Sequence, residues 1–176
     1  MVADMRLAPL SEEECIVVGE WRNAARETLR TTTLSTPDSQ QRFYRDVVLN
    51  PSSPHRYWAL RRHDFVGMAG LTDISWENGS AEISLIINPA YSKLGNGRIA
   101  FGLILSEAFE RMRLSTVYGE CYFCNPAVEF WQKVVKEHGG FKTVLPRRKF
   151  WDGELFGSLY FSIGGTEWIS QSATRK

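Results

Sequence analysis

Eleven consecutive residues, Asn88-Pro89-Ala90-Tyr91-Ser92-Lys93-Leu94-Gly95-Asn96-Gly97-Arg98, place two glycines between two cations, just ahead of a strongly periodic apolar run. The first N–H groups of a helix have no acceptor within it, the helix dipole adds partial positive charge at the same end, and glycine lets an anion approach the backbone closely. The segment therefore reads as a cradle for a phosphorylated cofactor. Just upstream, Glu82 and Ser84 alternate with Ile83, Leu85 and Ile87. In a strand, that alternation puts the carboxylate and the hydroxyl on one face and the aliphatic side chains on the other. A carboxylate so placed can take a proton from a substrate.

Three kinds of phosphate loop compete for this segment. A Walker A loop is excluded, because no G-x-x-x-x-G-K-[ST] occurs in the chain. A dinucleotide turn is a rival: Gly95, Gly97 and Ala100 fit G-x-G-x-x-A, and Glu120 lies where an acid could meet a ribose. Against it, residues 89–94 separate the preceding strand pattern from the first glycine, the upstream strands look antiparallel, and too little chain follows for a doubly wound sheet. A second motif, C-x-x-C at Cys121 and Cys124, suggests redox or metal chemistry. Cys15 and the histidines His55, His63 and His138 supply no second pair of zinc ligands, and Cys121 falls in a strand pattern rather than at a helix start. Both cysteines are read as packing residues, and no metal is expected.

The elements that must position these groups follow from periodicity and punctuation. A short strand at 5–8 precedes a helix that Ser11 caps, with Glu14 at capping-box spacing, running toward Trp21-Arg22-Asn23. A Thr- and Ser-rich loop at 31–37 leads to a second helix over 38–49, stopped by Asn50-Pro51. Strand patterns at 57–61, 65–74 and 81–88 are joined by short turns, which implies an antiparallel meander. Beyond the glycine loop, Phe101, Ile104, Leu105, Ala108, Phe109 and Met112 mark one face of a helix that packs on a sheet. A strand at 116–122, a helix from Asn125 or Pro126 to Glu137, and strands near 141–145 and 157–163 complete the order.

With 176 residues, 43% of them hydrophobic, the chain can bury one sizeable core, so residues 1–163 are expected to form a single domain and 164–176 a frayed polar tail. The 21 basic and 20 acidic residues nearly cancel, which gives no argument for nucleic acid or a membrane surface as partner. Three cysteines, no apolar run of membrane-spanning length and no signal-peptide pattern near Met1 point to the cytoplasm.

Strand, two helices, three meandering strands, a glycine loop opening a helix, then strand, helix and two strands resembles the GNAT superfamily of acyl-CoA-dependent N-acetyltransferases over residues 5–163. The family signature [R/Q]-x-x-G-x-[G/A] stands here as Ser92-Lys93-Leu94-Gly95-Asn96-Gly97, with Ser92 in place of Arg or Gln. Ala81-Glu82-Ile83-Ser84, Asn125-Pro126-Ala127-Val128, Gly140-Phe141 and Arg147-Arg148-Lys149-Phe150-Trp151-Asp152-Gly153 look like the RimJ/RimL-type branch. The resemblance implies an α/β fold with one central, mostly antiparallel mixed sheet, splayed at its fourth and fifth strands and flanked by helices. It also implies acetyl-CoA as co-substrate. The pyrophosphate would meet Ser92, Lys93, Leu94, Gly95, Asn96, Gly97 and Arg98, and the pantetheine arm would run along Ile86, Ile87 and Asn88 toward Asn125 and Trp131. Glu82 is then the candidate base, with Ser84 beside it. Phe130-Trp131-Gln132 stands where many members carry a tyrosine acid, so Tyr122 is the candidate donor, with Tyr118, Cys124 and water as rivals. Trp21, Arg22 and Asn23 are assigned to the acceptor substrate.

A single carboxylate suits an amine of modest basicity, because an α-amine titrates near 7.7–8.0 and a lysine-like amine near about 10.4. The implied reaction is acetyl transfer to an amino sugar, a protein N-terminus or another small primary amine. Two further readings stay open: a catalytically weakened acyl-CoA-binding or regulatory module, marked by Ser92 and Trp131, and an acyltransferase acting on a macromolecule such as modified nucleic acid. A homodimer is also left open.

Overall fold

The computed structural model describes residues 5–168. Seven strands form one sheet in the order β1-β2-β3-β4-β5-β7-β6. They are β1 (Arg6–Ala8), β2 (Arg56–Arg61), β3 (Phe65–Ser75), β4 (Ser80–Ile87), β5 (Thr116–Tyr122), β6 (Phe141–Trp151) and β7 (Glu154–Gly164). Every neighbouring pair is antiparallel except β4 and β5, which run parallel and share only the registers Ser80↔Thr116, Ala81↔Val117 and Glu82↔Tyr118. The mixed, splayed α/β sheet expected from the sequence is therefore present.

The helices form because their ends are supplied with partners. Helix α1 (Glu12–Ala25) opens on a capping box: Glu14 N–H donates to Ser11 Oγ at 3.2 Å, and Ser11 N–H donates to Glu14 Oε2 at 2.9 Å. The Glu14 carboxylate also pairs with Arg61 of β2, which fastens the helix to the sheet. Helix α2 (Pro37–Phe43) starts one residue before the expected Asp38, because Thr36 takes the cap and Pro37 fits the first helical position; a wider turn carries it on through Val48. Helix α3 (Asn96–Ser106) and helix α4 (Val128–Glu137) lie on the opposite face.

Two apolar layers hold the sheet. Ile83, Phe101, Ile104, Leu105, Val117, Val134, Val135, Phe161 and Ile163 are buried together beneath α3 and α4. A smaller cluster of Leu10, Cys15, Val18, Ala59 and Met68 joins α1 to the other face, with Ile86 packed against it. Strand β4 is thus apolar toward α3 at Ile83, Leu85 and Ile87 and turns Glu82, Ser84 and Ile86 the other way, the alternation its sequence predicts.

Two expectations need correction. The final strands are longer than 141–145 and 157–163, because Asp152 (φ 46°) and Gly153 (φ 79°) form a two-residue hairpin turn between Trp151 and Glu154. Pro146 and Arg147 (φ 54°) lie in an irregularity between Leu145 and Lys149, tolerated because β6 is the edge strand. The polar tail, expected to fray from Gly164, instead makes a helical turn at residues 165–168. Trp168 stacks on His138 at 5.3 Å between ring centroids and tilts over Phe109 at 6.3 Å, so one apolar side chain pulls the segment onto the core. The remainder of that tail, residues 169–176, lies outside the described residues.

Candidate active site

The glycine loop is shaped by its own side chains. Asn88 Oδ1 accepts Ala90 N–H at 2.9 Å, the Ser92 hydroxyl donates to Pro89 O at 2.9 Å, and buried Asn96 donates through Nδ2 to Tyr91 O at 2.9 Å. Lys93 (φ 60°) and Gly95 (φ 79°) enter the left-handed region, which curls successive amides toward one side. Helix α3 has no side-chain cap, unlike α1 and α2. Among the described residues, the N–H groups of Leu94, Gly95, Asn96 and Gly97 find no acceptor, whereas Arg98 N–H turns back onto Gly95 O at 3.1 Å. The Arg98 guanidinium pairs with Glu137 at 2.9 Å. Four free amides and the dipole of an uncapped helix are what could hold an anion here, with Lys93 as the adjacent cation.

A track leads from this cradle into the sheet. Beyond Glu82↔Tyr118, β4 and β5 separate, so β4 has an unpaired edge from Ile83 onward. Asn88 N–H donates to Val66 O at 2.9 Å, and Ile86 O presses against Gly67, so the backbone groups of these residues point toward β3. By strand alternation, those of Ile83, Leu85 and Ile87 face the gap. Of Ile86, Ile87 and Asn88, Ile87 alone offers its backbone to the track.

At the inner end lies a cavity of about 370 Å³, lined by Glu82, Ser84, Tyr122, Asn125 and Trp131 and by Arg22, Arg30, His55, Asp73 and Glu120. Its floor carries an ion-pair chain. Arg30 forks onto Glu82, with Nη1 to Oε2 at 3.0 Å and Nη2 to Oε1 at 2.5 Å, and reaches within 3.8 Å of Glu120. Glu120 in turn accepts from Arg148 Nε at 2.8 Å and from the Ser158 hydroxyl at 2.6 Å. The Arg148 hydrogen bond, chiefly, holds the Glu120 carboxyl below its usual range, with Ser158 and the Arg30 charge adding to it against the opposing effect of burial. The Arg30 guanidinium is pushed further up by its bond to Glu82.

Other candidates fall into place around this chain. Tyr122 ends β5 with Lys149 Nζ 5.4 Å above its ring, while the same Lys149 donates to Leu29 O. Asn125 Oδ1 accepts Ala127 N–H at 2.9 Å and its Nδ2 reaches Thr28 O at 3.3 Å, so the amide caps the turn before α4 and touches the α1–α2 connection. Trp131 stacks on Phe161 at 5.1 Å and shows an edge to the cavity. Of the triplet in α1, Arg22 lines the cavity, but Trp21 stacks on Phe65 at 5.4 Å and Asn23 exchanges hydrogen bonds with the Ser35 backbone at 2.7 and 2.8 Å. Burial pushes the Cys121 thiol up to about 12, which suits the packing role read for it. Among the described residues no group of His, Cys, Asp or Glu is arranged to hold a metal ion, and no helix is long and apolar enough to cross a membrane.

The description of an acetyltransferase (GNAT) domain matches residues 4–138. The chain belongs to the GNAT acetyltransferase family. The antiparallel β3–β4 pair ahead of the loop also removes the dinucleotide-turn reading. Among solved structures, spermidine N-acetyltransferase from Vibrio cholerae in complex with CoA and spermine resembles this GNAT chain with a TM-score of 0.81 at 17% identity, covering 94% of this chain and 98% of that one. The dodecameric form of the Vibrio cholerae enzyme gives 0.80 at 17% identity, covering 96% and 98%. Those likenesses are of fold. No curated protein matches the sequence.

Sequence reasoning missed Arg30 altogether and used Arg148 and Lys149 only as part of a segment resembling the RimJ/RimL-type branch. Arg30 sits just ahead of the Thr-rich loop, where no periodicity marks it, and its partner Glu82 is 52 residues away. Glu120 was visible only as a ribose ligand in the rejected dinucleotide reading. Its alternation with Tyr118 and Tyr122 in β5 was the available signal that all three share the face of Glu82.

Proposed function

We propose that this GNAT protein transfers the acetyl group of acetyl-CoA to a small primary amine, as a RimJ/RimL-like enzyme of the cytoplasm. The observation that carries the reading is the continuity of three features: free amides at Leu94, Gly95, Asn96 and Gly97, the unpaired edge of β4, and the carboxylate cavity where the strands part. The first suits a pyrophosphate, the second an extended amide-bearing arm, and the third an amine. Acetyl-CoA supplies an activated thioester. The Ile87 N–H, facing the gap, is placed to polarise a carbonyl. Glu82 takes the proton released by the attacking amine, and Tyr122 or water returns a proton to the leaving thiolate.

The cavity charges bear on the acceptor. Asp73, Glu82 and Glu120 face Arg22 and Arg30, and Arg148 is bound to Glu120 from outside. This near balance fits a monoamine better than a polycation, although spermine is the ligand named for one structural neighbour. A homo-oligomer belongs to the same reading: one neighbour is dodecameric, and the outer hairpin exposes Phe141, Val144, Phe150 and Leu155. Calorimetry with acetyl-CoA, followed by thiol release across amino sugars, N-terminal peptides, amino acids and polyamines, tests the proposal. Saturable binding with turnover on a monoamine is the expected result. Binding without turnover on any amine would leave an acyl-CoA-binding module instead.

A further inference from the structure

One side chain in the cavity has no part in the proposed chemistry yet holds the proposed base. Arg30 reaches across from the irregular segment between α1 and α2 and covers both Glu82 oxygens, at 3.0 and 2.5 Å, with Glu120 3.8 Å away. The carboxylates are nearly enclosed, at 12% and 9% side-chain exposure, while Arg30 is 53% exposed. An arginine with half of its surface in water gives up an ion pair at modest cost, since solvent replaces much of what it loses. Its segment is fastened by polar contacts, Asn125 to Thr28 O and Lys149 to Leu29 O.

Charge decides what can replace it. Glu82 and Glu120 carry two negative charges, Arg30 and Arg148 two positive ones, so the four are neutral together. Withdrawing Arg30 leaves a deficit of one positive charge in a largely desolvated pocket, where an unpaired carboxylate is costly. An ammonium group restores the balance one for one and places its N–H bonds on the oxygens the fork has left.

We propose that Arg30 is the specificity gate of the acceptor site: its guanidinium occupies the subsite between Glu82 and Glu120 that the substrate amine must take. The inference rests on the acetyltransferase reading above and adds the class of acceptor. Admission is an exchange of cations, so the favoured acceptor arrives protonated with a single charge, gives one proton to Glu82 before it attacks, and passes the second, through Tyr122 or water, to the leaving thiolate. The exchange balances a single charge; of the cavity carboxylates only Asp73 would remain for a further ammonium of a polyamine, with Arg22 lining the same cavity.

The test uses the full chain with Arg30→Ala and Arg30→Gln, and propylammonium and propylguanidinium as probes titrated by calorimetry without acyl-CoA. Both probes should bind the variants at least about tenfold more tightly than the wild type, a gain of roughly 1.4 kcal/mol. Adding Glu82→Gln to Arg30→Ala should abolish the gain. With an accepted amine, KM should fall in the variants by more than kcat changes. Equal probe affinity in wild type and variants overturns the gate, and so does a higher KM, which would mean that Arg30 holds the substrate. Because probe binding needs no turnover, a failed acetyltransferase reading shows separately, as absent acetyl-CoA binding and thiol release.

Discussion

In the proposed mechanism Glu82 has two demands on the same pair of oxygens, the guanidinium fork of Arg30 that the structure shows and the substrate N–H it would meet. Replacing it by Gln keeps the size and removes the proton acceptor. Glu82→Gln should lower kcat by about 10²-fold or more, with acetyl-CoA affinity changed by less than about threefold, because the cradle lies at the far end of β4. Thiol-release kinetics beside calorimetry separates the two, and unchanged turnover would remove Glu82 from the mechanism. Glu120 makes a different prediction, about pH. Its carboxyl is held below the usual 4.5 chiefly by Arg148, so the stability it contributes is fully present above pH 4.5 and is lost as pH falls through the lowered value. Melting temperatures of wild type and Glu120→Gln from pH 3 to about 7 should therefore differ most at neutral pH and converge in acid. A gap that stays constant would mean the ion pair carries none of it.

At the scale of elements, the contrast between capped and uncapped helices separates fold from site. Ser11 closes a capping box on α1, and Ser11→Ala should cost about 1 kcal/mol in chemical denaturation, with the groove unaffected. Helix α3 lacks such a cap, and its free amides are the ones proposed to meet the pyrophosphate. Gly97→Asp should weaken acetyl-CoA binding at least tenfold by setting a like charge beside the phosphates, although an acid in the first turn favours the helix itself. A Cβ at Gly97 would meet the Phe130 ring at 3.2 Å, so Gly97→Ala measures the steric part; equal losses in the two variants would make the effect one of packing. These elements were legible because their signals are local: Ser11 with Glu14, the two glycines, and the α3 apolar series from Phe101 to Met112. The β6–β7 hairpin was underestimated because Pro146 and the cation run Arg147-Arg148-Lys149 mask the strand pattern on an edge strand. The Glu82–Arg30–Glu120–Arg148 chain was illegible, since its members come from four separate segments joined only by the tertiary fold.

The whole molecule divides its sheet between two tasks. One face and its helices α3 and α4 carry most of the core, and the other face from β4 to β7 holds the charged cavity beneath the α1–α2 connection. Trp168 sits on the structural side, stacked on His138 and over Phe109, and so joins the turn after β7 to the residues that follow α3 and α4. Its ring is only partly buried, which places its truncation below the 3–5 kcal/mol expected for a fully enclosed aromatic; Trp168→Ala should cost about 2 kcal/mol. Because Trp168 touches neither the cradle nor the cavity, acetyl-CoA affinity at low temperature should be unchanged while the midpoint of denaturation falls. Urea titration paired with calorimetry checks both halves. A loss of affinity without a loss of stability would show that the turn carrying Trp168 communicates with the groove through α3, and the two faces of the sheet would then have to be treated as one cooperative unit.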